Sequence, residues 1–266
     1  MQTLVLRSCL VSHMEGLETC QGLEKLELYD NHIEYITGIQ TLHSLRILDL
    51  SFNSIRQLVD LGRSVPRLQE LYVAQNKLRK IEGLQGLPHL RLLDLGANRI
   101  RAIEGLENCT QLRSLWLGKN KIEQIEGLET LSELEQLDIQ NNRLTDLGQG
   151  LVHLSKLREL YLACNKIPSV VGLPVPGVLS TVDLSTNNVQ SVQGIEQLPS
   201  LQEVWMSSSA LSSFDALTPF TKLPRLTCLY LEHSPIAKDF EYRMQLAKMI
   251  PSLEQLDATN VHRPST

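Results

Sequence analysis

Eleven short apolar cores recur along this chain at an almost fixed interval, and that interval limits its fold more than any other feature. The cores read LVL, LEL, LDL, LYV, LDL, LWL, LDI, LYL, VDL, VWM and LYL. They are centred on Val5, Glu27, Asp49, Tyr72, Asp94, Trp116, Asp138, Tyr161, Asp183, Trp205 and Tyr230, with steps of 22 or 23 residues and a final step of 25. A period this constant means that each unit is one small element that cannot bury its own apolar side and has to stack on its neighbours.

The period and the pattern LxxLxLxxN fall within leucine-rich repeats. In the first half of a unit, apolar and other residues alternate, which predicts a short strand with leucines inward and the intervening residues outward. Stacked units then form a parallel sheet along the inside of an arc. In the second half, Ile33, Ile36, Ile39 and Leu42 recur every third residue. With Gly38, Gly83, Gly105 and Gly127 before the next apolar residue, this predicts a 3₁₀ or short helical convex side. The expected fold is an α/β leucine-rich-repeat solenoid of about eleven repeats over residues 1–234, with a helical cap and short tail over 235–266. Tyr242, Leu246, Met249 and Ile250 lie at helical spacing before Pro251 in that cap. The tail VHRPST is expected to fray.

Asn31, Asn53, Asn76, Asn98, Asn120, Asn142, Asn165 and Asn187 each follow a strand at the same offset. They predict a structural ladder whose amides satisfy buried turn backbone between repeats. The ladder gives way to Cys9 at one end and to Ser209 and Ser234 at the other, which makes Ser207 to Ser213 the expected weak stretch.

Catalytic chemistry has no candidate residues. The seven histidines are scattered, the five cysteines form no CxxC pair, and no phosphate-binding glycine loop or nucleophile motif occurs. No cofactor, metal or enzyme activity is expected. The N-terminus reads as no signal peptide, no apolar run is long enough to span a membrane, and a net charge of −5 argues against nucleic-acid or anionic-membrane partners.

The outward columns of the strands stand apart from this background. Nine acids, Glu27, Asp49, Glu70, Asp94, Asp138, Glu159, Asp183, Glu203 and Glu232, face only Arg7 and Lys25, a net of −7 that leaves +2 for the rest of the chain. Both tryptophans, Trp116 and Trp205, share the central column with Tyr72, Tyr161 and Tyr230, beside the small residues Ala74, Gly96, Gly118, Ala163 and Ser207. Accessible rings framed by carboxylates are the composition of a protein-binding hot spot. The expected partner-binding residues are Asp49, Tyr72, Asp94, Trp116, Asp138, Tyr161, Asp183, Glu203, Trp205 and Tyr230. The expected partner is a folded protein with basic and apolar features.

Segments such as LEKLELYDNHIEYITGI, LGANRIRAIEGLEN, LWLGKNKI, LQEVWMSSS and LYLEHSPIAKDFEYRMQLAKMIPSLEQLDAT make the chain, over essentially its whole length, resemble the leucine-rich-repeat regulatory subunits of type-1 serine/threonine protein phosphatase. The resemblance implies a non-catalytic regulator of the nucleus and cytoplasm that binds the phosphatase catalytic subunit through its concave face, with room for a further regulatory subunit. The family's contact positions fall here on Asp49, Tyr72, Asp94, Trp116, Asp183, Glu203, Trp205 and Tyr230. Tyr72 and Trp116 stand where the family often has Phe, and Asp94 where it often has Glu. The family's polar N-terminal extension has no counterpart in this sequence. The cap also resembles those of spliceosomal and axonemal leucine-rich-repeat proteins, which leaves an adaptor for a different client as the alternative.

Overall fold

The computed structural model describes residues 2–174 and 177–261; of the tail expected to fray, only Val261 is among them. Eleven three-residue strands form at the predicted cores: β1 (Thr3–Val5), β2 (Lys25–Glu27), β3 (Ile47–Asp49), β4 (Glu70–Tyr72), β5 (Leu92–Asp94), β6 (Ser114–Trp116), β7 (Gln136–Asp138), β8 (Glu159–Tyr161), β9 (Thr181–Asp183), β10 (Glu203–Trp205) and β11 (Cys228–Tyr230). They pair in sequence order, all parallel, so that Asp49 sits beside Tyr72, Tyr72 beside Asp94, and so on along the sheet.

The register comes from burial. The middle residue of each strand from β2 to β11, such as Leu48, Leu93 or Leu137, is fully enclosed. Truncating one such leucine costs about 2–5 kcal/mol, whereas a one-residue slip would turn the whole strand's apolar set toward water. The sheet does not stop at residue 234. β12 (Gln255–Leu256) continues it in parallel, and β13 (Thr259–Asn260) folds back antiparallel as its last strand. The cap helix, α2 (Tyr242–Met249), forms where the spacing predicted, after a single short helical turn, α1 (Leu61–Ser64), in the third repeat. Tyr242, Leu246 and Ile250 close the end of the core.

The ladder is regular from Asn31 to Asn187. In a typical rung the Asn120 Oδ1 accepts the Ile100 N–H of the preceding repeat at 3.0 Å, while Nδ2 donates to the carbonyls of Leu95 and Leu117 at 3.0 Å each. Ser209 and Ser234 carry the ladder on by a hydroxyl–hydroxyl bond of 2.9 Å and a Ser209 N–H donated to the Ser234 Oγ. Asp257 supplies the final rung by accepting the N–H groups of Leu231 and Glu232.

The convex side holds fewer 3₁₀ helices than the threefold spacing predicts. Regular 3₁₀ segments occur among the described residues at Ile195–Gln197, Asp215–Lys222 and Pro235–Lys238. Elsewhere single turns serve, such as the Leu42 N–H donated to the Ile39 carbonyl and the Leu45 N–H donated to Leu42. The glycines explain the difference. Gly38, Gly83, Gly105 and Gly127 take φ of +69° to +74°, the left-handed region, which breaks a 3₁₀ run. A Cβ on any of them would collide with a backbone carbonyl of the preceding repeat.

A candidate partner-binding face

All ten predicted partner-binding residues lie on the concave sheet, and each is half-buried with its side chain off the hydrophobic core. Nine belong to one column, one residue per strand from β3 to β11, and Glu203 lies two residues before Trp205 on the same face. From β3 to β10 the column alternates strictly between aspartate and ring: Asp49, Tyr72, Asp94, Trp116, Asp138, Tyr161, Asp183, Trp205. Strands lie ~4.8 Å apart, so like side chains recur roughly every 10 Å.

The aspartates serve the backbone as well as the surface. Asp49, Asp94, Asp138 and Asp183 each accept, through Oδ1, the N–H two residues onward, from Ser51, Gly96, Gln140 and Ser185 at 2.8–2.9 Å. This bond fixes the carboxylate against the strand end, and in Asp138 the second oxygen, Oδ2, also accepts the Gln140 Nε2 at 3.0 Å. Burial pushes the carboxyls of Asp94 and Asp138 above the usual carboxylate range, and the neighbouring aspartates raise both further. A cation brought by a partner would relieve both.

The rings are held in two ways. Tyr72 and Tyr161 donate their hydroxyls to Glu70 and Glu159, each at 2.9 Å, within the same strand. Burial beside these carboxylates raises both phenols, Tyr161 to about 12, so both remain protonated donors. Trp205 packs between Tyr161 and Tyr230, with ring centroids 6.3 Å away on either side, and Tyr230 accepts a bond from Gln255 Nε2 of β12 at 2.7 Å. These rings form a continuous shelf, more self-packed than a row of separate anchors. Trp116 has no ring partner among the described residues and borders a dent of about 320 Å³ with Asp138, Glu159 and Tyr161. A second dent of about 320 Å³ lies between Trp205, Tyr230 and the cap. Trp205 Nε1 is buried beside Cys228 without a nitrogen or oxygen acceptor.

The acidic face is narrower than the column count suggested. Glu27 is buried between Arg7 and Lys25, with an ion pair of 2.6 Å to each, so its charge is neutralised and the three leave a net +1 at the N-terminal end. Lys25 and Arg7 hold its carboxyl below the usual range. The other eight acids, from Asp49 to Glu232, have no ion-pair partner among the described residues. Sequence reasoning counted Glu70 and Glu159 as charge alone and missed their hold on the tyrosines, although residues two apart on a strand share a face.

Profiles of leucine-rich repeats match residues 66–108, 90–130 and 132–174, and a further one matches 41–56. A protein phosphatase 1 regulatory subunit of Dictyostelium discoideum is 42% identical over 76 residues, 28% of this chain and 22% of that protein. A protein phosphatase 1 regulatory inhibitor subunit homologue of Arabidopsis thaliana is 35% identical over 77 residues, 29% of this chain and 23% of that protein. The matches thus span under a quarter of those relatives' length, and the sequence likeness they measure covers less of the chain than its residue patterns suggested. A leucine-rich-repeat protein of Leptospira interrogans has the same fold, with a TM-score of 0.80 at 23% identity, over 96% of this chain and 72% of its own. The chain has the leucine-rich-repeat fold, and part of its sequence is similar to those of protein phosphatase 1 regulatory subunits.

Proposed function

We propose that this chain is a non-catalytic regulatory scaffold that binds the catalytic subunit of a type-1 serine/threonine protein phosphatase on its concave face. The observation that carries this is the alternating column of rings and unpaired aspartates, together with the regulatory-subunit relatives. In this arrangement Trp116 and the Trp205 shelf bury apolar surface of the partner, and Asp94, Asp183 and Glu203 accept hydrogen bonds from its Lys or Arg side chains. Asp49, Tyr72, Asp138, Tyr161 and Tyr230 extend the same strip. An interface of ordinary size covers ~800 Å² on each partner. A further regulatory subunit can join on surfaces left open, and the setting is the nucleus and cytoplasm.

The test is co-purification from native extract. The wild-type chain retains a type-1 phosphatase, and the W116A/W205A variant loses it while remaining folded, with a melting temperature lowered by the ring contacts that Trp205 gives up. Retention undiminished in that variant, or recovery of a splicing factor or a microtubule motor in place of a phosphatase, contradicts the proposal.

A further inference from the structure

The residue directly after the ladder position is basic in five consecutive repeats: Lys77, Arg99, Lys121, Arg143 and Lys166. Their backbones are bonded repeat to repeat, Lys77 N–H to Ile55, Arg99 to Leu78 and Lys121 to Ile100, so the side chains project as one row along the flank of the solenoid. Arg79 and Arg101, two positions further on, thicken the row in the fourth and fifth repeats, and Lys80 adds to it. Between these side chains runs a groove of about 550 Å³ whose lining holds five cations, Arg79, Lys80, Arg99, Arg101 and Lys121, against one carboxylate, Glu104. It meets a second groove of about 790 Å³ at Arg101, bordered further along by Arg143 and Lys166 but also by the carboxylates Glu123 and Glu126, so the cationic excess is strongest in the first groove.

The fold does not explain this row. Like charges stacked on adjacent units destabilise rather than support a sheet protein. Elsewhere the chain uses the same one-repeat offset to pair opposite charges: Lys156 meets Glu133 at 2.6 Å and Arg113 meets Glu135 at 3.5 Å. On the flank, among the described residues, only Arg143 is paired, to Glu123 at 3.6 Å. None of the five cations lining the first groove makes an ion pair among the described residues.

We propose that this flank binds an extended acidic peptide segment of a partner protein, independently of whatever occupies the concave face. Four intervals of ~4.8 Å make the row roughly 19 Å long, the reach of about six extended residues at ~3.3 Å each. The grooves have no aromatic side chain on which a nucleic-acid base could stack and no large apolar side chain to enter a bilayer. The acidic concave face also repels a long polyanion, whereas a short acidic segment can lie within the row.

The experiment is a fluorescence-anisotropy titration of a labelled alternating Glu-Asp peptide with the full chain, run beside labelled oligothymidine and phosphatidylserine-containing vesicles. The expected result is saturable peptide binding that weakens with salt, exceeds binding of either other probe, and falls about tenfold or more in R99E/R101E/K121E at unchanged melting temperature. The single variant R101E gives a smaller loss in the same direction, and W116A/W205A leaves peptide binding intact. Failure of the wild-type chain to bind the peptide, equal binding by R99E/R101E/K121E, or preference for oligothymidine or vesicles overturns the proposal.

Discussion

Two columns of one residue per repeat run the length of this molecule four positions apart, and they behave in opposite ways. The ladder column is asparagine eight times in succession, because every rung meets the same backbone groups of the repeat before it. The concave column alternates aspartate with tyrosine or tryptophan, although the strand beneath is the same in each case. A position answering only to its own fold repeats itself. One that varies over an invariant backbone answers to something outside the chain, or to a lateral neighbour, as Trp205 partly does.

The sharpest contrast is expected from Asn120→Ala. The change leaves the buried Ile100 N–H and the Leu95 and Leu117 carbonyls without the amide, and should cost about 3 kcal/mol of stability. Urea unfolding reads this directly, and a loss below ~1 kcal/mol would mean that the ladder is not a structural spine. Trp205→Ala should do the reverse, weakening capture of the phosphatase catalytic subunit by about 2 kcal/mol, roughly thirtyfold. Its cost to folding should stay within about 1–3 kcal/mol, the ~0.5–1.5 kcal/mol of ring-to-ring contact from each of its two neighbours. Calorimetric titration and a melting curve separate the two effects, and a stability loss without a binding loss would make Trp205 a packing residue.

Smaller changes refine the comparison. Thr186 holds φ +54° just before a ladder residue, a conformation poorly suited to a β-branched side chain. Thr186→Gly should therefore raise stability by about 0.5–1 kcal/mol, read as an increased urea midpoint, and a decrease would show that the methyl or hydroxyl contacts outweigh the strain. The smallest effect is expected at Asp138. A carboxyl raised in the folded state penalises folding when ionised, so its cost is present at neutral pH and disappears as pH falls through the raised value toward the ordinary one. Asp138→Asn can retain the Oδ1 bond to the Gln140 N–H without the charge. It should be slightly more stable than wild type at neutral pH, with the gap closing in mild acid. Glu27 runs the other way, since its lowered carboxyl stabilises at neutral pH and loses that contribution as pH falls through the lowered value.

Much of this was legible in the sequence because a repeat converts spacing into position. Once LxxLxLxxN was aligned, the strands, the ladder from Asn31 to Asn187 and the shared face of Trp116 and Trp205 followed from period two within a strand and period 22 between strands. What was not legible depends on rotamers and on contacts between neighbouring units. The left-handed residues before the ladder, among them Asp30, Phe52, Ala97 and Thr186, carry no glycine to announce them. The aspartate bonds to the N–H two residues on, and the burial of Glu27 beneath Arg7 and Lys25, need side-chain geometry that no spacing encodes. The strand β12 escaped because it has two residues and its last rung is Asp257 in place of asparagine.

The central claim is that a phosphatase catalytic subunit lies against the concave column, and site-specific photo-crosslinking tests it most directly. A benzoylphenylalanine placed at position 116, among the concave dents, should cross-link to the catalytic subunit in the assembled complex. The same group at position 35, where Tyr35 is exposed in the turn after the ladder, should not. Cross-linking from position 35 with none from position 116 would contradict the claim.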